Sequence, residues 1–266
     1  MLRSAVEEIG LLFFLNRLVV RQHLRLVADW WTAVVGMIIE QGTAIAFLGV
    51  IFYRIEAIQG WSLREMIFLL GLFVLSKPVY RVFFQGAAYV SEMVLSGNLD
   101  QFLVRPRNPL VLIVTSATNP VATGDLVLGA VLVSYGAAGV DIEWSVWRVL
   151  FLLSLVVFGS MVYVGALLLK GAVCVLAVRV EALNTLLQQF QQYAKYPISI
   201  YHPLVKVGLV TLLPYGLAAS VPAAVFLGKG GVAWYAWLAP LFCLIYVLLA
   251  GAVLQWSLRF YKSTGS

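Results

Sequence analysis

Glu40 and Gln41 stand near the middle of an apolar run, next to Gly42, and Lys77 and Lys170 lie inside two others. Ionisable groups are costly in hydrocarbon, so those that persist there pair with one another or mark a path for an ion or substrate. Two chemistries therefore fit Glu40: a pathway or subunit-contact site, or a structural pair with Lys77 or Lys170. A denser polar set follows, with Gln188, Gln189, Gln191, Gln192, Tyr193, Lys195 and Tyr196. On a helix, Gln188, Gln192 and Lys195 share one face at i, i+4, i+7 spacing. That face would line a hydrated cavity or a protein contact, or it belongs to an amphipathic linker outside the membrane.

No catalytic pattern accompanies these groups. The stretch LGKGG at 227–231 lacks the first glycine and the hydroxyl residue of a phosphate-binding loop. There is no H-E-x-x-H and no Cys/His cluster. The two histidines, His23 and His202, are isolated, and Cys174 and Cys243 fall inside apolar runs without metal-site spacing. The sequence thus predicts no cofactor or metal in this chain and no enzyme activity of its own.

The elements that must position these residues are membrane helices. The chain is 62% hydrophobic and 11% charged over 266 residues, with a mean hydropathy of +0.95. Soluble chains carry about 25% charged residues. Continuous runs such as VLFLLSLVVFGSMVYVGALLL exclude the dyad alternation of a membrane barrel. The net charge of +6 then points to anionic lipid and positive-inside topology rather than nucleic acid. Arg17, Arg21 and Arg25 form a stripe opposite Leu12, Leu15, Val19 and Leu26, so 2–27 reads as an interfacial amphipathic helix.

Spans are expected at 30–53, 63–86 (kinked at Pro78), 121–138, 148–177 and 233–258. Between the last two, two arrangements fit. Either Leu204–Leu227 is the fifth span after a cytoplasmic linker, or 184–201 is a polar fifth span and 203–227 forms broken re-entrant half-helices on the outer side. Pro197, Pro203, Pro214 and Pro222 favour half-helices. The start MLRSAVEEIG has no cleavage signal and reads as a retained, cytoplasmic N-terminus. In the second arrangement ten of the eighteen basic residues fall inside and six outside, leaving Lys77 and Lys170 within spans. Both arrangements put the polar, proline-braced stretch SGNLDQFLVRPRNPL, Ser96 to Leu110, in the cytoplasm.

Three stretches resemble a bacterial family of permease subunits of ATP-binding-cassette exporters, of the type-2 permease class. They are GWSLREMIFLLG at 60–71, the Ser96–Leu110 stretch with Glu92 upstream, and YPISIY followed by LPYGLAASVPAAVFLG. The resemblance implies an all-α integral membrane fold of six transmembrane helices. With it come the interfacial N-terminal helix, a cytoplasmic coupling helix within 88–109 and re-entrant outer half-helices before the last span. It also implies a dimer with a second permease, identical or related, bound to two separate ABC ATPases that hold ATP and magnesium. The location implied is the bacterial inner membrane, with both termini cytoplasmic. Glu92, Gly97, Asp100, Arg105 and Pro106 become coupling residues, while Glu40, Gln188, Gln192 and Lys195 become candidates for the pathway. An ion-coupled secondary transporter using Glu40 with Lys77 or Lys170, or a membrane scaffold without transport, are the competing expectations.

Overall fold

The computed structural model of the chain describes residues 27–177, 181–229 and 234–261. The expected interfacial helix, 2–27, therefore lies outside the described residues apart from Val27. Among those described there is no β-strand, only an isolated bridge between Ile58 and Trp61 that closes the first short link.

Five stretches are long and apolar enough to cross a membrane: Val34–Phe52, Leu63–Phe83, Pro120–Ala137, Val146–Ala177 and Ala236–Phe260. They correspond to the expected spans, with one adjustment. The second span is two helices, α2 (Leu63–Leu75) and α3 (Pro78–Phe83), broken at Ser76 and Lys77. Pro78 has no N–H to give to the turn before it, so the ladder stops there. The break is held by α8, the 32-residue helix Val146–Ala177. Ser160 Oγ donates to the Ser76 carbonyl at 2.6 Å, and the Ser76 and Tyr163 hydroxyls share a hydrogen bond of 2.9 Å. Tyr80, just past the break, stacks on Tyr163 with ring centroids 5.2 Å apart. A break at this depth is tolerated because a neighbouring helix takes up its polar groups.

Two helix pairs form the core. In the first, α2 packs on α7 (Thr123–Ala137) with almost no space between backbones. A Cβ at Gly136 would sit 2.5 Å from the Phe68 nitrogen, and one at Gly71 would sit 2.6 Å from the Val133 nitrogen. Small residues at crossings are how membrane helices gain contact without a hydrophobic driving force. In the second pair, α8 lies along α13 (Ala239–Ser257). The first span, α1 (Val27–Phe52), stands apart: 11% of its apolar window is buried, against 67% for the second span.

The polar segment between the fourth and last spans makes no single span in either expected arrangement. The stretch 184–201 contributes α9 (Glu181–Tyr193), 13 residues and so about 20 Å long, against a hydrocarbon core of about 30 Å. Leu204–Leu227 is not one helix either. It divides into α10 (Pro203–Val207), a π-helical turn (Gly208–Leu212), α11 (Tyr215–Ala218) and α12 (Ser220–Phe226). Leu213 and Pro214 interrupt it, as expected of half-helices. Its far end lies beside the short links: Phe226 meets Phe68, Trp144 and Phe151. Lys229 Nζ donates to Glu65 Oε2 at 2.6 Å and to the Gly60 carbonyl.

Candidate functional site

At the other end of α8 the chain leaves the second span and turns sharply. Residues 85–89 form a 3-10 turn, followed by α4 (Val90–Leu95) and α5 (Asp100–Leu103). The expected single coupling helix is thus two short ones. Gly97 separates them with φ +73, a conformation that a side chain disfavours. Helix α6 (Pro109–Val114) then begins with the Asn108 side chain accepting from the Leu110 N–H at 3.0 Å.

The segment is short, but it is anchored. Val90, Val94, Leu99 and Phe102 are buried in one cluster with Val164, Leu168, Ala172 and Cys174 of α8 and Ala250 and Leu254 of α13. A Cβ at Gly171 would meet Val90 Cγ1 at 2.4 Å, so the segment is pressed onto α8. Phe151 and Cys174 lie near opposite ends of α8, about 35 Å apart at a rise of about 1.5 Å per residue. This segment and the Lys229–Glu65 contact therefore sit at opposite ends of the molecule.

The outward side of the anchored segment is polar. A shallow groove of about 260 Å³ is lined by Tyr89, Glu92, Met93, Ser96, Asn98 and Gln101. Glu92, Arg105 and Pro106 are exposed, and the Arg105 guanidinium lies 5.7 Å from the Phe102 ring centre. Asp100 is half-buried and lies beside the Tyr261 phenol at the end of the last helix. Of the five residues expected to meet a partner, Glu92, Arg105 and Pro106 present themselves outward. Gly97 shapes the turn, and Asp100 faces inward.

A second site lies within the bundle, where α1 approaches α2, α3 and α7. A cavity of about 390 Å³ is lined by Glu40, Gln41, Lys77, Arg81, Asn119 and Asp125, with Met37, Val74, Val121 and Ala122 as its apolar wall. Glu40 belongs here, but its partner is neither Lys77 nor Lys170. Lys195 Nζ approaches Glu40 Oε1 at 3.8 Å. Lys170 Nζ instead donates to Asn184 Oδ1 at 3.4 Å. Lys77 Nζ lies 4.1 Å over the Phe73 ring, and Lys195 Nζ lies 5.4 Å from the same ring centre.

The structure divides the expected polar face of 188–195. Gln188 and Gln192 are exposed on α9 and take no part in the cavity lining. Lys195 lies beyond the helix end at Tyr193, in a turn that swings it away from that face. Helical periodicity therefore joined three residues that the turn separates.

The strongest ion pair of the cavity was missed. Arg81 Nη1 donates to Asp125 Oδ2 at 2.8 Å, with the Asp125 side chain 11% exposed. The available signal was an acidic residue in the first turn of an apolar run, with a basic residue at the end of the run before it. Among the described residues, no three His, Cys, Asp or Glu side chains come together as a metal site.

Comparison with known proteins gives one match. A family model described as an ABC-2 family transporter protein covers residues 38–265, so it takes in both sites. No curated protein and no solved structure matches the chain.

Proposed function

The chain belongs to the ABC-2 family of transporter proteins, and from that membership we propose that it is the permease subunit of an ATP-driven exporter. It is a multi-pass membrane protein with several apolar helices. In this reading it pairs with a second permease, identical or related, in the bacterial inner membrane with both termini in the cytoplasm. Two separate ABC ATPases bind ATP and magnesium and supply the energy.

The observation that carries the reading is the anchored polar segment at 88–109. To transmit a push, an element must be joined rigidly to what it moves and must offer the pusher a specific surface. Val90, Leu99 and Phe102 provide the first by burial against α8 and α13. Glu92, Asn98, Gln101 and Arg105 provide the second, exposed around the groove. Charge-assisted hydrogen bonds from such groups are both directional and about twice as strong as neutral ones. Closure of the ATPases would then move α4 and α5, and with them the inner halves of the fourth and last spans. The half-helices at 203–227, held at the far end through Lys229, would act as an outer gate.

Purification of the tagged chain from native membranes tests this. The expected result is a phosphate-loop ATPase bound in equal amount, and substrate movement that requires ATP. An isolated chain that transports in vesicles on an ion gradient alone would instead establish a secondary transporter built on Glu40 and the lysines around it.

A further inference from the structure

The charged cavity holds more positive charge than its carboxylates neutralise. Three cations converge there: Arg81, Lys77 and Lys195. Two carboxylates answer them, and each is already engaged, Asp125 by Arg81 and Glu40 by Lys195. Lys77 has no carboxylate within 4.0 Å among the described residues, and its contact is the Phe73 ring. A ring face offers an ammonium about 0.5–2 kcal/mol and accepts none of its three N–H groups conventionally.

Gln41 lines the same cavity. It is 5% exposed, and its Oε1 is buried without a hydrogen-bond partner. A buried polar atom left unpaired costs about 1–3 kcal/mol. An unneutralised cation and an unpaired amide, sharing one cavity, are complementary to a ligand rather than to each other's surroundings.

We propose that this cavity binds a phosphate-type oxyanion, with Lys77 as its counter-ion and Gln41 as a hydrogen-bonding partner to the same group. The proposal names the substrate class of the exporter, and to that extent it rests on the permease reading. A volume of about 390 Å³ suits a headgroup or a small anion, at the lower end of the ~300–1,000 Å³ typical of ligand pockets. The site is accessible from the side. The Glu40 side chain at its rim is 57% exposed, and Ile38 and Ile39 beside it are exposed on the flank of α1. In a bilayer that flank meets acyl chains, so a phosphate-bearing amphiphile could place its headgroup on Lys77 with its tail still in lipid. Apolar Met37, Val74 and Val121 complete a wall suited to the first carbons of such a tail.

The test uses the full chain in nanodiscs of zwitterionic lipid, without the ATPase, titrated with three probes: dodecyl phosphate, dodecyltrimethylammonium and inorganic phosphate. Saturable binding of dodecyl phosphate is expected, weakened at least tenfold in Lys77→Gln, retained in Lys77→Arg and unchanged in Lys206→Gln, which lies outside the cavity. Binding of dodecyl phosphate without inorganic phosphate assigns the site to an amphiphile headgroup. Lys77-dependent binding of both assigns it to the free anion as well. Equal binding of dodecyltrimethylammonium to the wild-type chain, or undiminished dodecyl phosphate binding in folded Lys77→Gln, overturns the proposal, and the probe comparison needs no variant to fold. Because no ATPase is present, these results stand apart from co-purification. A chain that binds its ATPase but not dodecyl phosphate sinks this inference alone.

Discussion

Lys195, in the turn after the Gln-rich helix, places its ammonium 3.8 Å from the carboxylate of Glu40, in the middle of the first span. The contact ties together the two least apolar parts of the membrane region. It also positions α1, which is otherwise little buried, against a segment far away in the chain. The polar segment between the fourth and last spans thus bears directly on the first span and on the cavity beside it.

The Arg81–Asp125 pair joins the end of the second span to the start of the third. Asp125→Asn should lower unfolding stability by about 2 kcal/mol, since removing one partner strands a charge that is partly shielded from water. A double-mutant cycle with Arg81→Gln should return a coupling energy of about 1–3 kcal/mol. Additive single effects would show that the pair contributes nothing measurable.

Gly86 faces the carbonyl of Ile113 so closely that a Cβ would sit 2.0 Å from it. Gly86→Ala should therefore displace α6 from the 3-10 turn and cost about 1–3 kcal/mol or more. At Gly159 the nearest atom to a new Cβ is 3.5 Å away, so Gly159→Ala should be tolerated. Melting curves of the two variants, measured side by side, check the contrast.

Arg105 is exposed and Asp100 half-buried beside Tyr261, so charge reversals at the two should differ. Arg105→Glu should weaken ATPase binding at least tenfold, about 1.4 kcal/mol, while stability changes by no more than about 0.5 kcal/mol. Asp100→Arg should lower both binding and stability. Wild-type association and turnover in both variants would remove the coupling role from this segment.

The native cysteines, Cys174 and Cys243, are buried. The wild-type chain should therefore label poorly with a membrane-impermeant maleimide. Cysteines introduced at Gln188 and Gln192, both exposed, should label readily in the isolated chain. Applying the reagent from each side of sealed vesicles then reports which side α9 faces, and unreactive positions would mean that the face is covered.

Lys229 reaches both Glu65 and the Gly60 carbonyl, fastening the end of the half-helices to the first link. Lys229→Ala should accelerate amide hydrogen exchange across Ser220–Phe226 and leave α13 unchanged. Equal exchange in the two proteins would show that aromatic packing by Phe226 alone holds this end.

The amino-acid sequence by itself determined the class of protein and most of the long helices. Uninterrupted apolar runs have one stable solution in lipid, because every backbone N–H and C=O must be satisfied within the segment. Pro78, Pro214 and the polar Ser96–Leu110 stretch likewise marked real breaks, since a missing N–H acts locally. Tertiary structure decided which charges meet. Glu40 could be assigned to Lys77 or Lys170 on composition alone, yet it pairs with Lys195, because a turn after Tyr193 redirects the chain. Asp125 was inconspicuous until the second and third spans were packed side by side, with Arg81 opposite it. Periodicity describes one helix at a time, whereas a cavity is made where several cross. That is why the anchored segment was visible in the sequence, while the oxyanion site around Lys77 appeared only once the helices were assembled.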